Sequence, residues 1–270
     1  MKYFGDAIAF IEEGAQPLPN FESLTAWPLV IMIGLTGVGK STVVELATKK
    51  GLDYTLLPNR RDLADQAIAY FQKEDGQPTE PVTDRIKRFE YTARYRAKFP
   101  GGMAHALSRL AIDPLKSKPI LIFDGLRGLD EVQHAVTYFP KARFVVLDAP
   151  DMVRLSRLLK RSDIFDTTSS NITSVNQNLI ATLMSVPDIE AVFKEEQLRQ
   201  IARLARAADI SMDDVVKKCR IIVEERRNYD SSTARIHLTR ALRPEQVLIV
   251  DTANQTAAEV AQRMADWLRI

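Results

Sequence analysis

Residues 34–41 are the segment that most constrains how this chain can fold. They read Gly-Leu-Thr-Gly-Val-Gly-Lys-Ser and fit the pattern G-x-x-x-x-G-K-[ST] at every fixed position. Residues 28–33 before them form a short apolar run typical of a buried strand, and residues 42–47 after them read as the first turns of a helix. A strand, a glycine loop and a helix in this order predict a phosphate-binding loop (P-loop). The alternative is an ordinary glycine-rich turn between a strand and a helix.

The P-loop pattern also assigns chemistry to single residues. Glycine permits backbone dihedral angles closed to other residues, so successive N–H groups can converge on phosphate oxygens at a helix N-terminus. Lys40 would add a charge near the β- and γ-phosphates, and Ser41 a hydroxyl for Mg²⁺. We therefore expect ATP and Mg²⁺ as cofactors. The residues expected to bind the nucleotide here are Gly34, Thr36, Gly37, Val38, Gly39, Lys40, Ser41 and Thr42.

Composition limits the class of protein and its partners. The 270-residue chain is long enough for one α/β core with an insertion, or for two small domains. Its 37 basic and 35 acidic side chains nearly balance, so nucleic acid is not an expected partner. The single cysteine, Cys219, excludes an intramolecular disulfide and fits a reducing compartment. Without a signal-peptide pattern or a run of membrane-spanning length, we expect a cytoplasmic protein with no membrane partner. The oligomeric state is open.

Apolar strand-like segments alternate with helical patterns along most of the chain. This alternation predicts an α/β protein with a P-loop NTPase fold, in which helices cover both faces of a five-stranded, largely parallel sheet. The expected strands are residues 28–33, 54–57, 119–124, 142–148 and 246–251, and a terminal helix is expected over 257–268.

The same patterns suggest how the chain is divided. Residues 1–27 look like an accessory helix and a proline-containing linker, and 28–161 with 244–270 form the core. Residues 162–243 are too long for an ordinary crossover and carry apolar residues at helical spacing, such as Leu198, Ile201 and Leu204. We expect them to form a helical, lid-like insertion.

Asp124 ends the third expected strand, where a metal-binding acid would lie beside the P-loop at the carboxyl edge of the sheet. It could hold Mg²⁺ with Ser41 or orient an acceptor group. The alternative is a cap for the turn at 125–127. No acid follows Asp124 directly, and the sequence has neither an N-K-x-D motif nor an ABC-type signature. A small-molecule kinase is the remaining class.

Several segments, in this order, resemble the nucleotide-kinase-like group of P-loop kinases, which includes nucleoside monophosphate, dephospho-coenzyme-A and archaeal nucleotide-kinase-like proteins. The resemblance spans residues 29–270 and implies transfer of the γ-phosphate of ATP to a nucleotide or another phosphorylated metabolite. The segments that carry it are 34–41, Asp124-Gly125-Leu126-Arg127 with Glu131-Val132, the arginine-rich helix after 148–150, and Asp251-Thr252 before the last helix.

The resemblance implies that arginines hold the acceptor phosphate, since a planar guanidinium can grip a phosphate through two hydrogen bonds. Arg60 and Arg61 follow the second strand, and Arg127 follows Asp124, all at the same sheet edge. We expect these three to bind the acceptor. Cations are unfavourable at a helix N-terminus, which favours an anionic partner for Arg60 and Arg61 over a merely solvated helix start.

A lid would supply further arginines. Arg154, Arg157 and Arg161 share one helical face, and the resemblance implies that such lid residues stabilise the phosphoryl group as it transfers. We expect Arg157 and Arg161 to be catalytic, with Lys40 and Asp124; a solvated charged face is the alternative. Asn254 lies where the resembled proteins pack backbone on adenine, although its segment could simply cap the last helix.

Three functions remain open from the sequence. A phosphate acceptor would need no general base, whereas a hydroxyl-bearing metabolite or a nucleotide sugar would need one, with Asp124 or Asp62 as candidates. The third possibility is a non-catalytic nucleotide switch whose insertion binds a partner. A basic helical face would serve that function, formed by Arg199, Arg203 and Arg206.

Overall fold

The computed structural model describes residues 1–12, 14–15, 19–160, 179–208 and 210–269. The strands are β1 Lys2–Phe4, β2 Ile8–Phe10, β3 Glu22–Ser23, β4 Leu29–Ile33, β5 Tyr54–Leu56, β6 Leu110–Ile112, β7 Ile120–Leu126, β8 Arg143–Asp148 and β9 Val247–Asp251. The α-helices are α1 Lys40–Lys49, α2 Arg60–Glu74, α3 Arg85–Lys98, α4 Gly102–Ser108, α5 Leu129–Tyr138, α6 Asp151–Leu159, α7 Leu179–Met184, α8 Ile189–Val192, α9 Glu195–Ala207, α10 Met212–Asn228, α11 Ser231–Ala241 and α12 Ala257–Arg269.

The main sheet has five strands in the order β5-β7-β4-β8-β9, and every neighbouring pair is parallel. The P-loop strand β4 lies in the centre, with β7 on one side and β8 on the other. Consequently the carboxyl ends of β4 and β7 place the P-loop beside Asp124. The five expected strands and the P-loop NTPase fold are confirmed.

Helices cover both faces of this sheet, as the sequence predicts. Leu29, Ile31 and Ile33 pack into one apolar cluster, while Val30 and Met32 pack into another. The alternation follows from the two-residue period of a strand. The first cluster contains residues of α2, α4, α5 and α11, and the second contains residues of α1 and α12.

The expected N-terminal helix is wrong. Strands β1 and β2 form an antiparallel hairpin, and β2, β6 and β3 extend it into a second, four-stranded sheet. Ile8 and Ala9 are buried in it. The short apolar run around Ile8 fits either a helix or a strand, and pairing with β6, about a hundred residues away, decides the outcome.

The region between β8 and β9 is helical in its described part, as expected. Helices α6, α7, α8, α9 and α10 share an apolar cluster of their own, which includes Leu155, Leu198 and the sole cysteine, Cys219. Helix α11 instead contributes Ala234 and Leu238 to the main core. Whether this insertion moves as a lid stays a prediction. Arg161 lies outside the described residues, so its expected catalytic role also stays a prediction. Among the described helices, none is both long and apolar enough to cross a membrane.

Candidate active site

The P-loop has the geometry that its sequence predicts. Gly34 and Gly37 have positive φ angles of 152° and 86°. A Cβ on Gly34 would lie 2.5 Å from the Leu147 carbonyl oxygen, so a larger residue does not fit there. Helix α1 begins at Lys40, and its N-cap residue, Gly39, makes no side-chain capping bond. The first N–H groups of the helix therefore have no side-chain acceptor, which suits an anionic phosphate.

Ser41 and Asp124 form a pair of oxygen ligands at this helix N-terminus. The Ser41 hydroxyl donates to Asp124 Oδ2 at 3.2 Å. The other carboxylate oxygen, Oδ1, is buried without a hydrogen-bond partner. A buried, unpartnered oxygen beside a hydroxyl fits Mg²⁺, which prefers oxygen ligands and usually keeps several waters. Among the described residues there is no larger cluster of metal-binding side chains. Asp124 makes no bond to the turn that follows it, so the capping alternative is not observed.

Lys40 folds back over the P-loop. Its Nζ donates to the carbonyls of Gly34 at 2.7 Å and Leu35 at 3.3 Å, and lies 3.7 Å from Asp124 Oδ1. Burial lowers the pKa of Lys40 to about 8, although the Asp124 charge opposes the shift. In the ligand-free protein, Lys40 is therefore close to losing its proton at mildly alkaline pH.

This pKa predicts how nucleotide binding depends on pH. Phosphate oxygens attract protonated Lys40, so the affinity for a Mg²⁺-bound, nonhydrolysable ATP analogue should be constant below pH 8 and fall above it, by up to about tenfold per pH unit. Isothermal calorimetry between pH 7 and 9.5 would measure this fall. Lys40→Arg is the matched control, because arginine stays charged throughout. Parallel curves for both proteins would contradict the assignment.

The P-loop opens into a cleft of about 980 Å³. Residues from α2, α3, β7, α6 and the segment after β9 line it together with the P-loop. The cleft is strongly basic. The charged residues among the described lining are, on the basic side, Lys40, Arg60, Arg61, Arg85, Arg88, Arg127 and Arg157, and on the acidic side Glu45 and Asp124.

Arg60, expected to bind the acceptor, is engaged by other groups of the protein. It lies in the first turn of α2, which Asn59 and Asp62 cap. Its Nη2 donates to Glu131 Oε1 at 2.7 Å and to the Tyr229 hydroxyl at 2.9 Å, while Nη1 donates to Glu131 Oε2 and Gly125 O. Both terminal nitrogens are thus already in use. Asp62 is also not placed as a base, because its carboxylate accepts from Asn59 N.

The Arg60–Glu131 ion pair should contribute strongly to the stability of the fold. Both side chains are buried, at 10% and 2% exposed. Burial raises the pKa of Glu131, but Arg60 outweighs this effect and keeps the pKa low. Arg60→Met would leave a buried charge without its partner, and should lower the free energy of unfolding by about 3–5 kcal/mol. Urea denaturation would measure the loss. Arg94→Met breaks an exposed two-bond pair with Asp75 and should change stability far less; equal losses would contradict the assignment.

Arg127 reaches the cleft from the end of β7. Its Nη1 lies 2.6 Å from Glu225 Oε1, and its side chain is 14% exposed. The Nε atom is buried without a hydrogen-bond partner. Arg127 also lines the cleft, so its predicted contact with an anionic acceptor stays a prediction that its position allows. Arg61 lines the same part of the cleft.

The arginines of α6 separate into two roles. Arg154 is fully buried and binds Asp151 and Glu225, so it is not part of a solvated face. Arg157 lines the cleft and joins the P-loop to the segment after β9, because its Nη1 donates to Gly37 O at 3.1 Å and Thr252 Oγ1 at 3.0 Å. Burial lowers the pKa of Arg157.

The expected adenine contact differs in detail. Asn254 is exposed and lies outside the cleft lining; its Nδ2 donates to Asp251 Oδ2 at 2.7 Å. Thr252, Gln255 and Thr256 from the same segment do line the cleft. The segment lines the cleft while the side chain of Asn254 is used within the loop, and the adenine contact expected there stays a prediction.

The basic face of α9 is largely neutralised within the helix itself. Arg199 Nη2 lies 2.5 Å from Glu195 Oε1, and Arg203 Nη2 lies 3.0 Å from Glu196 Oε1. All four side chains are more than half exposed. This arrangement does not favour the partner-binding switch.

Comparison with known proteins gives distant likenesses only. No protein-family model matches the chain, and no curated protein matches it. A sugar kinase from Janibacter sp. HTCC2649 is 15% identical, with 90% of this chain and 95% of that chain covered and a TM-score of 0.36. A gluconokinase from Sinorhizobium meliloti 1021 is 13% identical over 90% and 91% of the two chains, with a TM-score of 0.35.

A shikimate kinase from Acinetobacter baumannii is also similar, at 13% identity over 91% and 94% of the two chains, with a TM-score of 0.33. These three proteins are named as small-molecule kinases, and none of the three as a nucleotide kinase. Such low TM-scores carry no argument about the acceptor of this chain. The narrower resemblance to nucleotide kinases stays a prediction.

Sequence reasoning missed the buried acids of the site. Glu225 and Glu131 hold the arginines around the cleft, and neither was expected to act there. A signal exists for Glu225: it follows Ile221 and Ile222 by four and three residues, and so continues the apolar face of α10. An acid on the buried face of a helix indicates a charged partner inside the protein.

Proposed function

We propose that this chain is a Mg²⁺- and ATP-dependent kinase that transfers the γ-phosphoryl group to a small anionic metabolite. The observation that carries the proposal is that two kinds of residue share one cleft. The cleft is lined by the P-loop side, with the uncapped N-terminus of α1, Lys40 and the Ser41–Asp124 pair, and by the arginines named above. A donor and an anionic acceptor can meet there.

On the donor side, the N–H groups at the start of α1 bind the phosphates and Lys40 moves from the loop carbonyls to the β- and γ-phosphate oxygens. Ser41 and Asp124 would hold Mg²⁺, which would supply positive charge against the charge that develops on the phosphates. Arg157 lies between Gly37 and the segment after β9, and its hydrogen-bond acceptors named above are uncharged oxygens. It can therefore turn to the transferring group without leaving a carboxylate unpaired.

On the acceptor side, Arg127 and Arg61 line the cleft and can meet an anionic group of the acceptor. We favour an acceptor that carries an anionic group for these arginines and a hydroxyl as the accepting atom. Asp124 is the reason, since a hydroxyl must lose a proton as it attacks and a carboxylate in the cleft lining can accept that proton.

A second candidate is transfer to a phosphate, as in a nucleotide monophosphate. The density of arginines in the cleft favours it, because a phosphate matches the guanidinium geometry and is already ionised at neutral pH. In this version Asp124 would bind Mg²⁺ but would not act as a general base.

The test is a substrate screen. Thermal-shift assays with a Mg²⁺-bound, nonhydrolysable ATP analogue, plus hydroxy acids, sugar phosphates or nucleoside monophosphates, should reveal acceptors that add stability beyond that from the analogue. ADP release with ATP and each hit then separates hydroxyl from phosphate acceptors. If the ATP analogue gives no stabilisation and no acceptor stimulates ADP release, the proposed function is wrong.

A further inference from the structure

The carboxylate of Glu225 lies where the helical insertion meets the P-loop. Glu225 belongs to the last turn of α10 and is fully buried. Its oxygens accept from Thr36 N at 3.0 Å and from the Thr36 hydroxyl. A helix about 190 residues further along the chain thus holds the P-loop residue that comes directly before Gly37.

The same carboxylate gathers three guanidinium groups. Arg127 lies 2.6 Å away and Arg85 3.2 Å away, and Arg154 also donates to Glu225. Burial would raise the pKa of Glu225, but Arg127, Arg154 and Arg85 lower it well below its usual value. Glu225 is therefore an anion at neutral pH.

The N–H, the carbonyl oxygen and the side-chain hydroxyl of Thr36 all form hydrogen bonds. While Glu225 binds its N–H and hydroxyl, Arg154 Nε donates to its carbonyl oxygen at 2.8 Å. Arg154 in turn binds Glu225, so the contacts close into a ring. The Thr36 peptide cannot rotate without breaking hydrogen bonds to charged groups.

We propose that Glu225 is a positioning residue: it fixes the P-loop through Thr36 and directs Arg127 into the cleft. The insertion would then set the geometry of both substrate sites rather than only cover them. This inference rests on the proposed function, because it concerns the nucleotide and acceptor sites of that same cleft. Contacts from outside the P-loop strand and helix also restrict the backbone of a loop that contains three glycines.

The test is a double-mutant cycle on nucleotide binding. The groups that face Glu225 are hydrogen-bond donors, so Glu225→Gln both removes a charge and turns an amide NH₂ toward them. The affinity for a Mg²⁺-bound, nonhydrolysable ATP analogue, measured by calorimetry, should fall by roughly tenfold or more. Thr36→Val removes the hydroxyl and should also weaken binding. If Glu225 acts through Thr36, the double variant should lose clearly less than the product of the two single losses.

Glu224→Gln is the matched control. Glu224 neighbours Glu225 on α10 but pairs with Arg227 at the surface, so its replacement should leave the affinity within about twofold. A direct readout comes from hydrogen exchange in the ligand-free protein, where the Thr36 N–H should exchange roughly tenfold faster in Glu225→Gln while the amides of α1 stay unchanged.

The outcomes are separable. A folded Glu225→Gln protein with unchanged affinity and unchanged Thr36 exchange, or single losses that multiply in the double variant, would overturn the positioning role and leave the kinase proposal standing. Absence of analogue binding by the unaltered protein would overturn the proposed function, and the positioning role with it. If Glu225→Gln does not fold, Thr36→Val decides, since unchanged affinity in that variant would overturn the inference.

Discussion

Lys40→Ala is expected to abolish phosphoryl transfer and leave the fold intact. The Lys40 ammonium group is the charge on α1 that faces the space for the β- and γ-phosphates, and alanine keeps the helix but removes that charge. Loss of one well-placed group of this kind costs on the order of 10²–10³-fold in turnover. ADP release in the presence of an acceptor would measure the loss.

The fold should survive because Lys40 donates only to carbonyls of its own loop and lies 3.7 Å from Asp124. Circular dichroism and urea denaturation would check this. Lys49→Ala is the matched control: Lys49 ends the same helix, is exposed, and should be replaceable without effect on turnover. Undiminished turnover in a folded Lys40→Ala protein would remove the P-loop assignment altogether.

The parts of the molecule that the sequence predicts well are those set by local patterns. The P-loop, the five strands of the main sheet and the position of Asp124 each depend on fewer than ten consecutive residues. A buried parallel strand must be an apolar run, and a tight turn onto a helix must have glycine, so the pattern and the structure have the same cause.

The parts that it predicts poorly depend on partners far along the chain. Arg60 meets Glu131 across 71 residues, and Thr36 meets Glu225 across 189. The sequence pattern of an arginine at the start of a helix is the same whether the arginine binds an anionic ligand or a buried carboxylate, because both partners are anions. The sequence predicts an acceptor phosphate as the anionic partner of Arg60, whereas the contact that the structure shows is with Glu131.

The N-terminal segment illustrates the same limit. Residues 8–11 are apolar enough for a helix or a strand, and the three-residue strand β6 that pairs with β2 has too little pattern to be recognised alone. In the described part of the insertion, by contrast, helices were expected and are present, since helical spacing extends over many residues there.

Asp124→Asn is expected to reduce turnover by about 10²-fold and to raise the Mg²⁺ concentration needed for half-maximal activity. Asparagine has nearly the same shape, so it can still accept from the Ser41 hydroxyl, but it has no negative charge for the metal ion. Activity titrations with MgCl₂ would measure both effects.

The same variant separates the two versions of the reaction. If Asp124 only holds Mg²⁺, saturating metal should restore much of the lost turnover, because the acceptor phosphate needs no base. If the buried Oδ1 also takes the proton of an acceptor hydroxyl, the loss should persist at saturating Mg²⁺, since an amide cannot accept that proton at neutral pH. Asp148→Asn is the control and should leave the Mg²⁺ requirement unchanged. Asp148 ends β8, on the other side of β4 from β7, and its carboxylate accepts from Ala149 N at 3.0 Å. Unaltered turnover and Mg²⁺ requirement in Asp124→Asn would exclude both roles, and the Ser41–Asp124 pair would then be only a structural link between the P-loop helix and β7.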